Sequence, residues 1–314
     1  MSFRKIGSNL LTVALLAVGL GAWVVLPWYG VVALAAALGA WLFLSRQGKL
    51  ALAAAGVGIA SLPRRWGASS VIVIGIAGVV GVLVAMLAMG EGFQATLKGT
   101  GSDEAAIILR GGSQVETNSV ISRNQAPLIV GLPGIARSAD GRPLASPEVS
   151  QVVNLPSKAD GTDANVQMRG VGDEGWEVRP HMRLVQGRRF ERGLREIVVG
   201  QGVSAQYRGV EVGKTLRLGN EDWTVVGVFA SGDSHDSEMW TDAQTLASFY
   251  RRPAYQSVTV RLDGKDGFAQ LKAALDDDPR LKLAALTTSD YYTRQSSGTT
   301  TLIRVLATVL GAIL

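Results

Sequence analysis

Residues 70–90 have the sequence SVIVIGIAGVVGVLVAMLAMG, an uncharged run long enough to cross a bilayer as a tilted helix. The next residue, Glu91, is the first of 26 acidic residues, all of which lie between Glu91 and Asp290. Residues 1–90 and 299–314 contain no Asp or Glu and consist mostly of apolar runs. The chain is therefore predicted to be a membrane protein in which residues 91–298 form a large water-facing insertion.

Basic residues follow the same division. Seven of the 31 Lys and Arg residues lie outside residues 91–298, so that segment holds 24 basic against 26 acidic residues. The pI of about 9.6 thus reflects charges that flank apolar runs, where cytoplasmic anchors are expected. Nucleic acid would require Lys and Arg clustered on the water-facing part. We therefore expect membrane lipids as partners and no nucleic acid.

Residues 1–49 are predicted to form a transmembrane hairpin. Residues 9–26 carry no charge and would span about 27 Å as a helix, and residues 29–45 are again uncharged. The sequence PWYG at 27–30 joins the two runs and combines turn formers with aromatic residues suited to a membrane interface. A signal peptide over residues 1–27 is disfavoured, because no small-residue cleavage site leads into a soluble domain and another apolar run follows at once.

Residues 50–69 are less regular than the runs on either side. The segment is apolar as far as Leu62, but it is short, contains Gly56 and Gly58, and ends in the sequence PRR at 63–65. This pattern favours a helix that lies along the cytoplasmic interface. A plain linker is the alternative.

Orientation follows from the basic residues at 4–5 and 46–65, since none occurs in the turn between them. The N-terminus should be cytoplasmic, residues 70–90 a third span, and residues 91–298 extracytoplasmic. Residues 299–314 should start a fourth span, but 16 residues are fewer than the roughly 20 required, so we expect a fragment of a longer protein. Arg304 in this run is expected to reach the outer headgroups rather than to have a functional role.

The composition of residues 91–298 predicts a mixed α/β domain. The predicted strands are Ala105 to Leu109, Glu196 to Val199, Thr215 to Leu218, Trp223 to Phe229 and Ser257 to Leu262. The last alternates apolar and polar residues, which is typical of a half-buried strand. Residues 219–222 are predicted to form a hairpin turn.

Helices are expected after Asp242, as an N-cap, through Tyr250, and over residues 265–276. Ser289 or Asp290 should cap a helix that runs into the last membrane segment, and residues 91–98 should continue the third span outward. The fold class is thus membrane α-helical, with three complete spans and a partial fourth, and with a large mixed α/β extracytoplasmic domain between the third and fourth. Its two stalks would be continuous with membrane helices.

Two stretches invite a catalytic interpretation. The sequence GVEVGKT at 209–215 resembles a phosphate-binding loop, but it has three residues between the glycines instead of four and leads into a strand. His235 with Asp233, Asp236 and Glu238 resembles a metal site, yet such residues usually form a solvated loop, and with His181 as the only other histidine no zinc spacing can be built. No G-x-S-x-G elbow occurs. We therefore predict no catalytic, cofactor-binding or metal residues, no cofactor, and no enzyme activity.

Nine short motifs follow one another from about residue 60 to the end of the chain. They are SLPRRWGASS at 61–70, MGEGF at 89–93, ILRGGS at 108–113, GRRF at 187–190, EIVVG at 196–200, VGKTLR at 212–217, WTVVGVF at 223–229, SEMWTD at 237–242 and TTLIR at 300–304. Through their order over about 250 residues, the chain resembles the FtsX-like permeases of ABC transporters that carry a MacB-type periplasmic core domain. The hairpin in residues 9–45 departs from the single leading helix of that family.

The resemblance implies a multi-pass protein of the cytoplasmic (inner) membrane with a periplasmic domain at residues 91–298. It implies as partners a separate cytoplasmic ABC ATPase subunit and a second permease copy in a homodimer or heterodimer, and in some members a periplasmic adaptor and an outer-membrane channel. The implied function is ATP-driven export or extraction of a substrate. The alternative is a non-transporting mechanotransmitter or scaffold that regulates a cell-wall enzyme.

Overall fold

The computed structural model describes residues 28–61, 66–278 and 281–296. It divides into two compact units, Met1–Gly81 and Val82–Leu314. The predicted first span at residues 9–26 lies outside the described residues, as do the partial fourth span at 299–314 and Arg304. These features stay predictions, and so does the count of three complete spans and a partial fourth.

The first unit contains two helices, α1 (Trp28–Leu44) and α2 (Arg46–Ser61). They are separated at Ser45, whose hydroxyl oxygen accepts a hydrogen bond from the amide of Gly48 at 2.8 Å. The segment from residue 50 is thus helical as far as Ser61, and its role as an interfacial helix or as a linker stays a prediction.

Helix α3 (Trp66–Thr100) has 35 residues and starts in the first unit. Within the described residues, Val73–Thr100 is the one helical stretch long and apolar enough to cross a membrane, and only 6% of its most apolar window is buried. At 1.5 Å per residue the whole helix is about 52 Å long, which exceeds the roughly 30 Å of a hydrocarbon core. The predicted continuation of this helix through residues 91–98 is confirmed.

The second unit is a mixed α/β domain, as predicted. Its described strands are β1 (Ala105–Arg110), β2 (Ile121–Ser122), β3 (Ala145–Pro156), β4 (Asp163–Val171), β5 (Arg183–Gly187), β6 (Glu196–Gly200), β7 (Thr215–Leu218), β8 (Glu221–Ala230), β9 (Glu238–Asp242), β10 (Ala254–Tyr255), β11 (Ser257–Arg261) and β12 (Leu283–Thr287). Its described helices are α4 (Ala126–Val130), α5 (Gln201–Gln206), α6 (Ala243–Phe249), α7 (Gly267–Asp277) and α8 (residues 288–296). The five predicted strands are all present.

Ten of the described strands form one sheet in the order β12-β1-β11-β3-β4-β9-β6-β8-β5, with β7 also paired to β8, and β2 and β10 form a separate two-stranded sheet. Strand β3 joins two lobes, because its residues 145–148 pair with β11 and its residues 149–156 pair with β4. We call the part with β1, β11, β12 and α7 the small lobe. The part with β4 to β9, α5 and α6 is the large lobe.

Each lobe has its own apolar core. The small-lobe core includes Ile108, Val258 and Leu271, and the large-lobe core includes Val199 and Trp223, all with no exposed surface. Strand β11 is wholly buried at residues 257–260, so its predicted half-exposed alternation is wrong. The reason is that its polar face, which the alternation assigns to solvent, is covered by buried charged side chains.

The helix ends follow from their capping residues. The Asp242 carboxylate accepts a hydrogen bond from the amide of Thr245 at 2.8 Å and starts α6, as predicted. The helix expected at 265–276 is α7. Helix α8 begins earlier than predicted, since the Thr287 hydroxyl oxygen accepts a hydrogen bond from the amide of Asp290 at 3.1 Å. The proposed caps Ser289 and Asp290 therefore lie inside the helix.

Candidate functional site at the stalk junction

Helices α3 and α8 meet where they join the domain. The amide of Ser102 donates to Oγ1 of Thr288 at 2.9 Å, and this hydroxyl donates to the carbonyl of Ser102 at 2.9 Å. A Cβ on Gly101 would lie 2.5 Å from the Cα of Ser289, so the close approach requires glycine. We call Gly101, Ser102, Thr288 and Ser289 the stalk clamp.

The end of α3 also contacts the large lobe. Oγ1 of Thr100 accepts a hydrogen bond from the amide of Ser234 at 3.0 Å, and Thr100 is 5% exposed. Ser234 starts a short 3₁₀ turn (Ser234–Ser237) that leads directly into β9. A displacement of the end of α3 would therefore act on the turn before β9 through this hydrogen bond.

Helix α8 places two tyrosines against the small and large lobes. The Tyr291 ring packs on Ile107 and Leu109 of β1, and its hydroxyl oxygen accepts a hydrogen bond from the amide of Glu116 at 3.3 Å. Burial raises the pKa of Tyr291 to about 12, and burial likewise raises the pKa of Tyr292. Both hydroxyls therefore stay protonated at ordinary pH.

Behind these tyrosines lies a cluster of buried charges. Arg169 on β4 binds both carboxylate oxygens of Glu238 through Nε and Nη2, at 2.8 and 2.9 Å. Its Nη1 donates at 2.9 Å to Glu116, in the 3₁₀ turn Glu116–Asn118, and at 2.9 Å to Glu148 on β3. Arg169 is 2% exposed. One guanidinium thus holds together three separate segments of the domain.

A second arginine completes the cluster. Arg179 donates to the two carboxylate oxygens of Glu148 at 2.7 and 3.0 Å, and its guanidinium lies 5.2 Å from the ring centre of Trp240. The indole of Trp240 donates to Glu238 at 2.9 Å, and Ser257 of β11 donates to Glu116 at 2.7 Å. We call this set the buried charge cluster; its charged members are Glu116, Glu148, Arg169, Arg179 and Glu238.

The opposite charges of the cluster keep one another ionised despite their burial. Burial alone would raise the pKa of Glu238, but Arg169 outweighs it and lowers the pKa to about 2. Burial is likewise outweighed at Glu148, whose pKa Arg179 and Arg169 lower. The desolvation that would lower the pKa of Arg169 is overcome by Glu116 and Glu238, so its pKa lies well above the ordinary value. All three groups are therefore ionised.

Such an arrangement fixes geometry more than it adds stability. Burying ions costs several kcal/mol each, and the pairing mostly offsets that cost, whereas removing one partner costs about 3–5 kcal/mol. The cluster joins β3, β4, β9 and the turn at Glu116, and it contacts α8 through Tyr291. We define the stalk junction as the stalk clamp, the Thr100–Ser234 contact, the two tyrosines and the buried charge cluster.

The predicted phosphate-binding look-alike lies elsewhere, in the large lobe. Gly213 has a φ of 88° in a tight turn, the amide of Lys214 donates to the carbonyl of Glu211 at 3.0 Å, and β7 starts at Thr215. A strand thus follows the lysine, as predicted, where a phosphate-binding loop requires a helix.

The interpretation of Asp233, His235, Asp236 and Glu238 as a solvated loop is wrong. His235 is 2% exposed and Glu238 is 7% exposed, because the turn is covered by α8 and the charge cluster. Glu238 pairs with Arg169 rather than with a histidine, and Asp236 accepts hydrogen bonds from the amides of residues 231 and 232.

The second histidine, which sequence spacing places out of reach, belongs to the same group. Nε2 of His181 lies 2.9 Å from Oδ2 of Asp233, and Nδ1 of His235 lies 2.9 Å from Oδ1 of Asp233. One potential ligand atom from each residue lies within 4.8 Å of the others. These three residues, the His–Asp–His group, are those that could hold a metal in the described part of the domain.

A family model described as the MacB-like periplasmic core domain matches residues 69–278. The chain therefore belongs to the MacB-like periplasmic core domain family. This membership supports, in general terms, a membrane-bound transporter permease with an extracytoplasmic domain and a cytoplasmic ATPase partner. No curated protein matches the chain significantly.

Several solved structures are similar to the domain, among them regions of MacB and YknZ. The periplasmic region of MacB from Actinobacillus actinomycetemcomitans has a TM-score of 0.46 and 14% identity, with 60% of this chain and 90% of that chain covered. The extracellular domain of the noncanonic ABC-type transporter YknZ from Gram-positive bacteria has a TM-score of 0.43 and 16% identity, with 58% of this chain and 100% of that chain covered.

Proposed function

We propose that this chain is a permease subunit of an FtsX-like ABC transporter, which converts ATP hydrolysis by a separate cytoplasmic ATPase into motion of its extracytoplasmic domain for export or extraction of a substrate. The observation that carries the proposal is the unbroken helix α3, whose end at Thr100 is hydrogen bonded to the domain and whose next residues are clamped to α8. A continuous helix whose end is hydrogen bonded to the turn before β9, and whose next residues are hydrogen bonded to α8, is suited to transmit displacement.

The proposed partners are those that the resemblance to FtsX-like permeases implies. The ATPase would act from the cytoplasm on a dimer of permeases, either two copies of this chain or this chain with a related one. An adaptor in the periplasm and an outer-membrane channel would complete an export route. Regulation of a cell-wall enzyme through the same domain is the alternative output.

The proposed location is the inner membrane, with residues 91–298 outside the cytoplasm. Single cysteines at Gln47, Gln201 or Gln270 would test it in intact cells with a membrane-impermeant thiol reagent, since the chain has no native cysteine. Labelling is expected at Gln201 and Gln270 and not at Gln47. Labelling only at position 47 would indicate the opposite orientation and contradict the proposal.

The chain itself is proposed to have no ATPase activity. Lys214 is exposed in a turn that leads into β7, whereas a phosphate-binding loop places its lysine before a helix. Lys214→Ala should leave ATP hydrolysis by the permease–ATPase complex nearly unchanged. A loss as large as that from disabling the ATPase subunit would contradict this assignment.

The proposal is tested by interrupting the stalks. Ala95→Pro removes a backbone hydrogen bond and costs about 3 kcal/mol in a helix interior, and Ala95 is exposed, so no packing is lost. In the full-length protein with its ATPase, we expect normal membrane insertion and basal ATP hydrolysis but loss of export or regulatory output. Arg294→Pro in α8 should have the same effect.

Two matched variants separate the backbone effect from the side-chain effect. Ala95→Ser and Arg294→Ala change the side chains but keep every backbone donor, so both should retain output. If both proline variants keep full output, the helices do not transmit motion and the domain is merely tethered.

A further inference from the structure

The chain has two histidines in its 314 residues, and the fold brings both to one carboxylate. They are 54 positions apart, His181 in the segment before β5 and His235 in the 3₁₀ turn before β9. Imidazole nitrogen and carboxylate oxygen are ligands that zinc accepts, and three protein ligands of the His₂-carboxylate type leave one position for water.

The three side chains are held in place by bonds from outside the group. Oδ1 of Asp233 also accepts hydrogen bonds from the hydroxyl of Ser231 at 2.6 Å and from the amide of His235 at 2.9 Å. The Tyr292 hydroxyl lies 3.5 Å from Nε2 of His235, the ring nitrogen that does not face Asp233. Partners of this kind fix the orientation of ligands in metal sites.

The three side chains differ in their exposure to solvent. The side chains of Asp233 and His235 are 4% and 3% exposed, whereas that of His181 is 45% exposed. Both histidines line a cavity of about 120 Å³, which has room for an ion and its water. An ion could therefore enter past His181 and reach two ligands that are already ordered.

Charge favours a dication at this place. With Asp233, the neighbouring buried charge cluster contains four carboxylates and two guanidiniums, an excess of two negative charges when both histidines are neutral. A dication would balance it.

We propose that His181, Asp233 and His235 form a binding site for one divalent transition-metal ion of the zinc class. The ion would replace the two hydrogen bonds of Asp233 to the histidine rings and link the segment that precedes β5 to the turn that receives the end of α3 at Ser234. It would thereby stiffen the stalk junction. Metal binding does not require the chain to act in transport.

The test uses the whole chain, purified in detergent with an affinity tag that lacks histidine, and Zn²⁺ as the probe. Titration against a chromogenic chelator should give one ion per chain. His181→Gln removes an exposed ligand without disturbing the core, and it should weaken Zn²⁺ binding by about 100-fold or more. Asp233→Asn should weaken it further.

Glu177→Gln is the matched control, because Glu177 lies four residues from His181, is exposed, and contacts only Arg189 among the described ion pairs. It should bind Zn²⁺ like the unaltered chain. Co²⁺ provides a second readout, with visible absorption bands of a four- or five-coordinate site that are lost in His181→Gln. If Zn²⁺ does not bind, or binds equally to the unaltered chain and to His181→Gln, the site is a hydrogen-bonded group only and the proposal is wrong.

Discussion

The large-lobe core and the stalk junction are similarly buried but have opposite chemistry. Val199, Trp223 and Met239 in the core are fully buried apolar side chains, whereas Arg169 and Glu148 in the junction are 2% and 1% exposed and charged. Apolar contacts are non-directional and tolerate small displacements. Bidentate charged hydrogen bonds are directional, so a displaced stalk helix must either keep them or break them. The core supplies stability, and the junction supplies a defined arrangement.

The largest effect should come from removing the cation that the three glutamates share. Arg169→Met leaves Glu116, Glu148 and Glu238 with one guanidinium between them and should lower the free energy of unfolding by about 3–5 kcal/mol. Denaturant unfolding of the whole chain in detergent, followed by tryptophan fluorescence, measures this loss.

The matched control is an exposed pair of the same type. Arg217 and Asp222 are 67% and 60% exposed and their charged atoms are 3.3 Å apart, so Arg217→Met should change the free energy of unfolding by less than about 1 kcal/mol. Equal losses in the two variants would show that burial of the charges has no special role.

The next largest effect is a pH dependence of stability that arises in the stalk junction and not in the large-lobe core. The pKa of Glu238 is lowered from 4.5 to about 2, so its contribution is present above pH 4.5 and is lost as pH falls towards 2. That shift corresponds to about 3 kcal/mol. Glu148 contributes in the same direction. Glu238→Gln should therefore flatten the fall of the melting temperature between pH 4.5 and 2.

The core variant Leu155→Ala is the counterpart in the apolar region. It should lower the free energy of unfolding by about 2–5 kcal/mol at every pH and keep the slope of the unaltered chain. A parallel flattening in both variants would mean that the acid sensitivity does not arise in the buried charge cluster.

The smallest effect on stability should come from the stalk clamp. Thr288→Val removes the hydroxyl that donates to and accepts from Ser102, at a cost of about 1–3 kcal/mol. Output of the permease–ATPase complex should nevertheless fall strongly, because the two helix bases are no longer joined. Thr293→Val, five residues further along α8, should retain output. A Thr288→Val complex with full output would remove the clamp from the mechanism.

Sequence patterns were sufficient for elements defined by local periodicity or turn chemistry. Strand β7 has the predicted bounds, and α6 starts at its predicted cap, Asp242. Strand β3 was not predicted, because its sequence ASPEVSQVVNLP mixes prolines with polar residues that the fold buries. Its residues 145–148 pair with the small lobe and its residues 149–156 pair with the large lobe, which no local pattern encodes.

The junction was harder to predict than the fold. Arg169 and Glu148 look like ordinary surface residues in a sequence, and their burial depends on pairing between segments up to 69 positions apart. The sequence pattern nearest to the cluster was misleading: β11 alternates apolar and polar residues, which suggests that one of its faces is exposed to solvent. The spacing between His181 and His235 excluded a zinc motif within one short segment. It did not exclude that the fold brings the two histidines together at Asp233.

We propose that motion of α3 reaches the domain through the stalk junction. The most direct measurement is hydrogen–deuterium exchange on the full-length complex with and without a trapped ATP state, in peptides that cover residues 232–240 and 288–296. Exchange in both peptides should change on ATP binding in the unaltered complex and in Ala95→Ser, and should not change in Ala95→Pro. Unchanged exchange in the unaltered complex, or a change that persists in Ala95→Pro, would contradict the claim.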